Sequence, residues 1–446
     1  MELKDDQKRA AARFEAWLTN SKETFAGLWA SAGFGKSYTA KHLINEVILK
    51  NSNYIPIVTS MTHSAVDILS EFTGMTVTTL HKHMGWVPQI DKETGEGYIS
   101  TPQMRDPNCE PKTKRGEILL VDEAGLMGHT ECRLLKEECE RTGLRVLLIG
   151  DHKQCFPVIK EDEEMCIPAY NMTECILELT IPKRTDLDNT IYKLSVAYRA
   201  TVDGARQPKL QTALNKDGKT GVRICDDIEE MAYAAFRAGV RDGNTDNIKV
   251  LAFTNIRCLN LNRKIRKKVL GHKSTIPVVG EIMVANTAIT LSAGDDIMIR
   301  NNQLVKVASV EETESFGLRG AFIQYEDLDG VAFEEIVFVP ASPQRLAERL
   351  KTLSSEAKGF AGNGFKEEAS QNWRMFFSLK EGCSDIRYTY AMTINKAQGI
   401  TLKHALVDLT DINSARSAEQ AARLAYTGVT RATTYVTIEG SLDETT

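Results

Sequence analysis

The chain has 446 residues, 42% of them hydrophobic and 26% charged, a balance that excludes a disordered polymer and allows roughly two to four domains with sizeable cores. Its net charge of -5 does not advertise nucleic-acid binding, although a protein gripping a single strand in a channel needs only a local basic surface. No apolar run reaches about eighteen residues, the charged start has no signal-peptide core behind it, and nine cysteines without a Cys-x-x-Cys pair read as free thiols, so the expected location is the cytoplasm, with no membrane partner.

In chain order, Ala11, Ala12, Phe14 and Leu18 fall near helical spacing and predict an amphipathic helix over residues 3–18, with Gln7 near its start. The apolar run Leu28-Trp29 breaks into Ala30-Ser-Ala-Gly33-Phe-Gly35-Lys36-Ser37, which reads as a P-loop. The chemistry asks for these residue types: N–H groups of a Gly-rich turn cradle phosphate oxygens, Lys36 supplies a cation to the β/γ-phosphates, and Ser37 offers a hydroxyl to Mg²⁺. Ala30 stands where Gly is usual, so the loop has to open without that freedom at positive φ. A helix over 38–49 and a buried strand over 54–60 continue a β-α-β pattern, and a further helix over 65–72 is capped by Thr62 or Ser64.

A β-prone piece at 76–80 leads to His81-Lys-His83, and the runs 86–90 and 98–101 flank a Gly-rich turn, a hairpin signal. Residues 102–115 read as a returning loop. The strand 118–121 then runs into Asp122-Glu123, two carboxylates at the end of a strand where open α/β sheets place ligand groups. Asp122 suits a Mg²⁺ ion and Glu123 suits polarising an attacking water. A helix over 130–141 and a strand over 145–149 follow, ending in Gly150-Asp-His-Lys-Gln154, where Gln154 is placed to touch a γ-phosphate and report hydrolysis to a neighbouring domain.

Beyond residue 249 a buried strand (250–253) precedes a basic helix with Arg257, Arg263, Lys264, Arg266, Lys267 and Lys268, either a phosphate-lining or a solvated face. Short β runs at 281–284, 296–300, 303–307, 321–325 and 335–339, separated by Gly, Asn and Asp turns, read as a small inserted β-barrel. A helix over 343–358, a flexible Gly359–Gly364 stretch and a segment over 366–379 follow, the last carrying Trp373, Phe376 and Phe377 as core rather than base platform.

Gln7, the P-loop, Thr59-Ser-Met-Thr-His-Ser64, Val121-Asp-Glu-Ala124 and Gly150-Asp-x-x-Gln154-x-x-Pro157 occur in the order of the superfamily 1 helicases. With Leu179-Thr-Ile-Pro-Lys-Arg184, Val250-Leu-Ala-Phe-Thr-Asn255, Ala391-Met-Thr-Ile-Asn-Lys-Ala-Gln-Gly399 and Tyr426-Thr-Gly-Val-Thr-Arg431, the chain most resembles the Dda-type phage helicases with their RecD and Pif relatives, superfamily 1B. Gly125 and Asn395 depart from the Ser and His common at their positions, and Asn395, unable to become a cation as His can, puts coupling between strand binding and hydrolysis in question.

The resemblance implies an α/β fold of two RecA-like P-loop domains with Mg-ATP between them. Residues 1–183 form the first, with a hairpin insertion at about 84–113, and 184–275 plus 386–446 form the second, interrupted over 276–385 by an SH3-like β-barrel with a helical, aromatic extension. It implies that Gln7 reads the adenine edge, that Gly33, Gly35, Lys36, Ser37 and Asp122 bind nucleotide and Mg²⁺, and that Arg184 and Arg431 complete a charge clamp with Lys36, Glu123 and Gln154. Thr62, His63, Thr78, His81, Asn255, Thr393 and Lys396 match positions facing a DNA channel, and Trp86, Val87, Pro88 and Tyr98 are candidates for a pin at the fork. The implied activity is ATP-driven, 5′-to-3′ translocation by a monomer on single-stranded DNA and unwinding of forked duplex, in phage-type replication or recombination, with a single-strand-binding protein as a further candidate partner. A nucleotide-dependent DNA-binding regulator and an RNA-directed motor are the alternatives.

Overall fold

The structure is a computed structural model that describes residues 3–51, 53–90, 97–107, 109–110, 113–114, 116–157, 163–182, 187–242, 247–271, 275–286, 289–290, 297–300 and 303–443. The strands before the middle of the chain are β1 (Phe25–Trp29), β2 (Ile55–Ser60), β3 (Val77–Thr79), β4 (Val87–Ile90), β5 (Gly97–Ser100), β6 (Glu117–Asp122), β7 (Arg145–Gly150) and β8 (Cys175–Glu178). They are followed by β9 (Ala213–Leu214), β10 (Gly221–Cys225), β11 (Ile248–Ala252), β12 (Ile282–Ala285), β13 (Ile289–Thr290), β14 (Ile297–Ile299) and β15 (Leu304–Ser315). The last are β16 (Leu318–Glu326), β17 (Ala332–Pro340), β18 (Ile386–Tyr388), β19 (Ala391–Thr393), β20 (Leu402–Asp408) and β21 (Ala432–Glu439). The chain divides into two compact units, one of Met1–Trp86, Thr101–Leu261 and Ala391–Thr446, the other of Val87–Ser100 and Asn262–Tyr390.

The first unit holds two parallel-sheet layers. One sheet has the order β3-β2-β6-β7-β1-β8, all pairs parallel. Its central strands are near-continuous Ile, Leu and Val runs because both faces are covered by helices. Every strand therefore ends on the same edge, which gathers the residues that follow β1, β2, β6 and β7. The helix Asp5–Asn20 lays Phe14, Trp17 and Leu18 on this core, and Arg145 closes its C-terminus by donating to the Leu18 and Trp17 carbonyls at 2.8 and 2.7 Å. Gly150 has to be glycine: a Cβ there would lie 2.7 Å from the Trp29 ring. The second sheet, β19-β11-β20-β21-β10-β9, is parallel except for the β10–β9 pair. Its core gathers Tyr198, Leu251, Val407 and Tyr426, and Cys155, from the loop after β7, is buried in that second core.

The second unit is built on the antiparallel sheet β17-β16-β15-β12-β18, with β13 paired to β14 and β4 paired to β5. Here the structure differs from the sequence expectation in two places. The run expected over 303–307 continues to Ser315, because Phe316 (φ 55°) and Gly317 (φ 71°) make the positive-φ turn that a two-residue hairpin requires. The stretch 359–364, expected to be flexible, is helical through Gly362. The helix Pro343–Gly362 turns at Asn363 and Gly364 into the helix Lys366–Gly382. Leu353 and Leu379 of this helical pair cover Leu318 and Phe338 of the sheet, and Trp373 is buried among Phe376 and Phe377, as core. Among the described residues no helix is long and apolar enough to cross a membrane.

One buried ion pair fastens this unit. Arg266 donates from Nε and Nη2 to the two oxygens of Glu281 at 2.6 and 2.9 Å and from Nη2 to the Ile276 carbonyl at 3.0 Å, with its guanidinium 4.5 Å from the Tyr388 ring centre. Both side chains are 3% exposed, so each charge depends on the other. Glu281→Leu should cost about 3–5 kcal/mol in urea unfolding, by stranding a buried guanidinium, whereas Glu281→Leu with Arg266→Met should recover most of it. Equal loss in the single and double variants would show that the charge pairing is not what holds the unit.

Candidate active site

The phosphate loop follows β1, and its left-handed positions are Gly33 (φ 82°) and Gly35 (φ 84°), the latter capping the helix Lys36–His42. Ala30 needs no such freedom: among the described residues only Glu123 and Phe316 are non-glycines at positive φ. The departure at Ala30 is thus accommodated by ordinary backbone geometry, and its N–H donates to the Gly150 carbonyl at 3.1 Å. Lys36 Nζ donates to the carbonyls of Ala30 (2.9 Å) and Ser31 (3.3 Å), so the cation lies over the loop it is meant to serve. The helix after the loop runs on as a π-helix over Leu43–Ile48, an irregularity that no side-chain period announces. Gln7 is 2% exposed, with Nε2 donating to Thr39 Oγ1 at 2.9 Å and Oε1 accepting from Lys4 N at 3.2 Å. It is tied through Thr39 to Gly35, whose carbonyl accepts the Thr39 hydroxyl at 3.0 Å.

Asp122 ends β6 and lines, with Ser37, a small recess floored by Ala40, Val58 and Leu120. Burial and the neighbouring Glu123 charge push its carboxyl up to about 7, with Lys36 pulling the other way. Glu123 sits at φ 53°, ψ 35°, a left-handed conformation that costs a non-glycine residue about 1–3 kcal/mol and that clusters at functional sites. That residue starts the short 3₁₀ turn Ala124–Leu126.

The loop after β7 is held by the second sheet. Asp151, 4% exposed, accepts from Arg199 Nη1 at 2.7 Å and from the Tyr426 hydroxyl at 2.6 Å. Burial would raise its pKa, but Arg199, Lys36 and Tyr426 outweigh that and hold it below the usual carboxylate value. Arg423 Nη1 donates to the carbonyls of His152 (2.6 Å) and Gln154 (3.1 Å), and Cys155 N donates to Thr427 Oγ1 at 3.0 Å. Gln154 and Gln398, both buried, meet through Nε2 of Gln398 and Oε1 of Gln154 at 3.4 Å, and Asn395 Nδ2 reaches the Phe156 carbonyl at 3.5 Å. Tyr426 entered the sequence analysis only as the start of the Tyr426–Arg431 motif, and Arg199 and Arg423 escaped it, because their partners lie far along the chain and leave no local signature. Arg431 donates to the Thr427 carbonyl of the helix Ala418–Thr430 at 3.2 Å and to the Ile400 carbonyl, before β20, at 3.5 Å. Arg184 lies outside the described residues.

The residues matched to a DNA channel also stand at strand ends. Thr62 follows β2 and caps the helix His63–Thr73, accepting from Ala65 N at 3.3 Å, which decides for Thr62 over Ser64 as the cap. Thr78 is in β3, and His81 faces Glu131 Oε1 at 3.7 Å and Trp86 edge-on at 5.7 Å between ring centres. Asn255, exposed, opens the helix Asn255–Leu270 behind β11, its turn fixed by Asp411, which accepts from Phe253 N (2.8 Å) and Thr254 N (2.7 Å). Thr393 ends β19 and accepts from Lys396 N at 3.4 Å. Arg257 is claimed by Asp408 at 2.7 Å, Glu229 at 3.4 Å and Glu439 at 3.7 Å, so in the basic helix it serves packing, not a phosphate-lining face. Of the pin candidates, Trp86 is 5% exposed and is corrected to a core residue, because its ring packs beneath His81. Val87 (43% exposed) and Tyr98 (44%) remain at the surface, Tyr98 donating to Gln89 Oε1 at 2.7 Å, and Pro88 is described by its pairing opposite Ile99.

Residues 2–162 match the AAA domain family and residues 388–438 the UvrD-like helicase C-terminal domain family. The ATP-dependent DNA helicase dda of Enterobacteria phage T4 is 25% identical over 431 residues, 90% of this chain and 91% of that protein. Together these matches support a superfamily 1B helicase similar to the Pif1- and Dda-like group. A solved structure of two coordinating Pif1 helicases at forked double-stranded DNA shares the fold, with a TM-score of 0.52 at 14% identity, over 99% of this chain and 93% of that one. The RecA-like parallel-sheet core expected of a superfamily 1B member is thus present.

The donor set fits a superfamily 1B nucleotide site. A buried carboxylate whose proton is held by burial and a like charge gains most from a divalent cation, and Ser37 supplies a hydroxyl beside it. A bound Mg²⁺ would supply charge to the phosphates, while Lys36 and the loop N–H groups would bind and orient them. Glu123 would hold the attacking water and take its proton. Lys36→Ala should abolish hydrolysis, while Glu123→Gln should still bind a fluorescent ATP analogue but turn over about a hundredfold or more slowly. Near wild-type turnover in Glu123→Gln would remove that glutamate from the chemistry.

Proposed function

We propose that this ATP-hydrolysing superfamily 1B DNA helicase translocates 5′-to-3′ on single-stranded DNA and opens forked duplex, with Mg-ATP turned over at the edge of the first sheet. The observation that carries the reading is the loop after β7: it begins beside Lys36, carries Gln154, and ends in the core of the second sheet, so changes at the phosphates reach both sheets. In this reading Lys36, Ser37, Asp122, Glu123 and Gln154 handle nucleotide and metal, with Arg184 and Arg431 as the arginines of the second sheet. Arg431, which holds the Thr427 and Ile400 carbonyls, is proposed to exchange them for phosphate when nucleotide is bound.

Thr62, His63, Thr78, Asn255, Thr393 and Lys396 are proposed to hold the strand through phosphates and sugars, the contacts that hydroxyls, amides and a lysine make well. His81 is proposed to act by positioning Trp86. Replacing Thr62 and His63 together by Ala should weaken single-strand affinity on the order of tenfold and lower DNA-stimulated hydrolysis, with ATP affinity kept. Unchanged DNA affinity in a filter or anisotropy titration would take these two residues out of the strand path.

Direction rests on the two insertions, a hairpin before the Asp122-Glu123 strand and an SH3-like β domain before Thr393, the arrangement that resemblance associates with 5′-to-3′ movement. The exposed Val87 and Tyr98 make the hairpin the proposed pin, an apolar wedge offsetting the few kcal/mol that unstacking costs. A duplex with a 5′ single-stranded tail should be unwound far better than one with a 3′ tail, and replacing residues 88–98 with a Gly-Ser turn should cripple unwinding while sparing DNA-stimulated hydrolysis. Equal unwinding from both tails would refute the polarity, and a shortened hairpin that still separates strands would refute the pin.

A further inference from the structure

The turn between β11 and the helix Asn255–Leu270 is held on both flanks of Asn255 by one short segment, the end of β20 and the helix Leu409–Ile412 that follows it. On the N-terminal flank, Asp411 Oδ2 accepts from two successive backbone amides, Phe253 N at 2.8 Å and Thr254 N at 2.7 Å, while Oδ1 accepts the Thr254 hydroxyl at 2.8 Å. With its proton committed to Asp411, Thr254 Oγ1 accepts from Arg257 N at 3.2 Å, one of the orphan amides of the helix start. On the C-terminal flank, Arg257 Nε donates to Asp408 Oδ2 at 2.7 Å. Asp408 is fully buried, and its Oδ1 accepts from Asp411 N at 3.2 Å and from the Thr410 hydroxyl at 2.6 Å, which fixes the two carboxylates to each other. The hydrogen bonds close a ring through the backbone of the turn, and Asn255 and Ile256 stand exposed on its outside.

A carboxylate repels a polyanion, so on charge alone Asp411 opposes the strand that Asn255 is proposed to hold. Its geometry works the other way. An exposed turn loses conformational freedom when a ligand orders it, and a turn already ordered through two amides and a hydroxyl has little left to lose. We propose that Asp411 is a positioning residue for single-stranded DNA: it orders the turn 253–255 before the strand arrives, and this ordering outweighs its repulsion. The proposal rests on the reading that Asn255 lies in the strand path.

The test titrates fluorescein-labelled oligo-dT at fixed salt, read by anisotropy, with the full chain as wild type, Asp411→Ala, Asp411→Asn, Asn255→Ala and the Asp411→Ala, Asn255→Ala double variant, each with a thermal melt. Asp411→Ala removes the bonds and the charge together, and its Kd should rise about tenfold, the size of one hydrogen bond to a charged group. Asp411→Asn removes only the charge, because its carbonyl can face the two amides while its NH₂ donates to Thr254 Oγ1, so it should bind as tightly as wild type or more tightly. A carboxylate acting by charge alone would instead make both variants bind more tightly. With Asn255 already replaced, Asp411→Ala should weaken binding by less than about twofold further, since the turn then has no amide side chain to position. Unchanged or tighter binding in Asp411→Ala, or its full loss repeated on top of Asn255→Ala, overturns the role. Should Asp411→Ala melt early, Thr254→Val decides: it keeps the branched shape and drops the hydroxyl that joins Asp411 to the helix start, a loss of about threefold is expected, and an unchanged Kd overturns the role too. Wild-type affinity in Asn255→Ala overturns the underlying reading and the positioning role with it, an outcome distinct from a weakened Asn255→Ala beside an unchanged Asp411→Ala.

Discussion

A buried carboxylate is tolerable only if its charge is met, and Asp151 is met from the other sheet: by Arg199 and by Tyr426. The first sheet therefore cannot place Gly150-Asp151 at its edge without the second sheet supplying partners. The same loop buries Cys155 among Tyr198, Leu251 and Val407, adding apolar contact to the electrostatic one. Two sheets that might have been separate cores are in this way fixed to each other through a few residues. Those residues begin beside the lysine of the phosphate loop, whose charge also favours ionised Asp151.

The nucleotide edge itself depends on backbone conformations that cost energy. Gly33 and Gly35 take left-handed geometry cheaply, whereas Glu123 takes it at a cost that the surrounding sheet has to overcome. The parallel sheet does so by fixing β6 between β2 and β7, leaving the residue after Asp122 little choice of direction. Asp122 adds a second cost, a buried carboxyl beside a like charge, which makes the edge an acceptor for cationic ligands.

Much of this was legible in the residues. The apolar runs over 118–121 and 145–149 and the Gly-Lys-Ser loop are local signals, and the strands and loop stand where those signals put them. Thr62 as a helix cap was one of two options that only the folded backbone could separate. What the sequence could not disclose were pairings between distant residues: Arg423 with the His152 carbonyl, Asp411 with the Phe253 and Thr254 amides, and the three carboxylates around Arg257. Nor could it decide Trp86, since a hairpin-edge tryptophan serves as wedge or core with the same neighbours. Glycines at 359 and 362 argued for a flexible turn, but the packing of Leu353 and Leu379 over Phe338 keeps that helix intact past them.

The central claim is that the loop after β7 mechanically links the phosphate loop to the helix Ala418–Thr430. Amide hydrogen exchange of the full chain, nucleotide-free and with a non-hydrolysable ATP analogue and Mg²⁺, tests it directly. The account predicts that protection changes together in the phosphate loop, in residues 151–157 and in residues 423–431, with the Cys155 amide among the responders. A change confined to the phosphate loop, with the segments 151–157 and 423–431 unaltered, would contradict it.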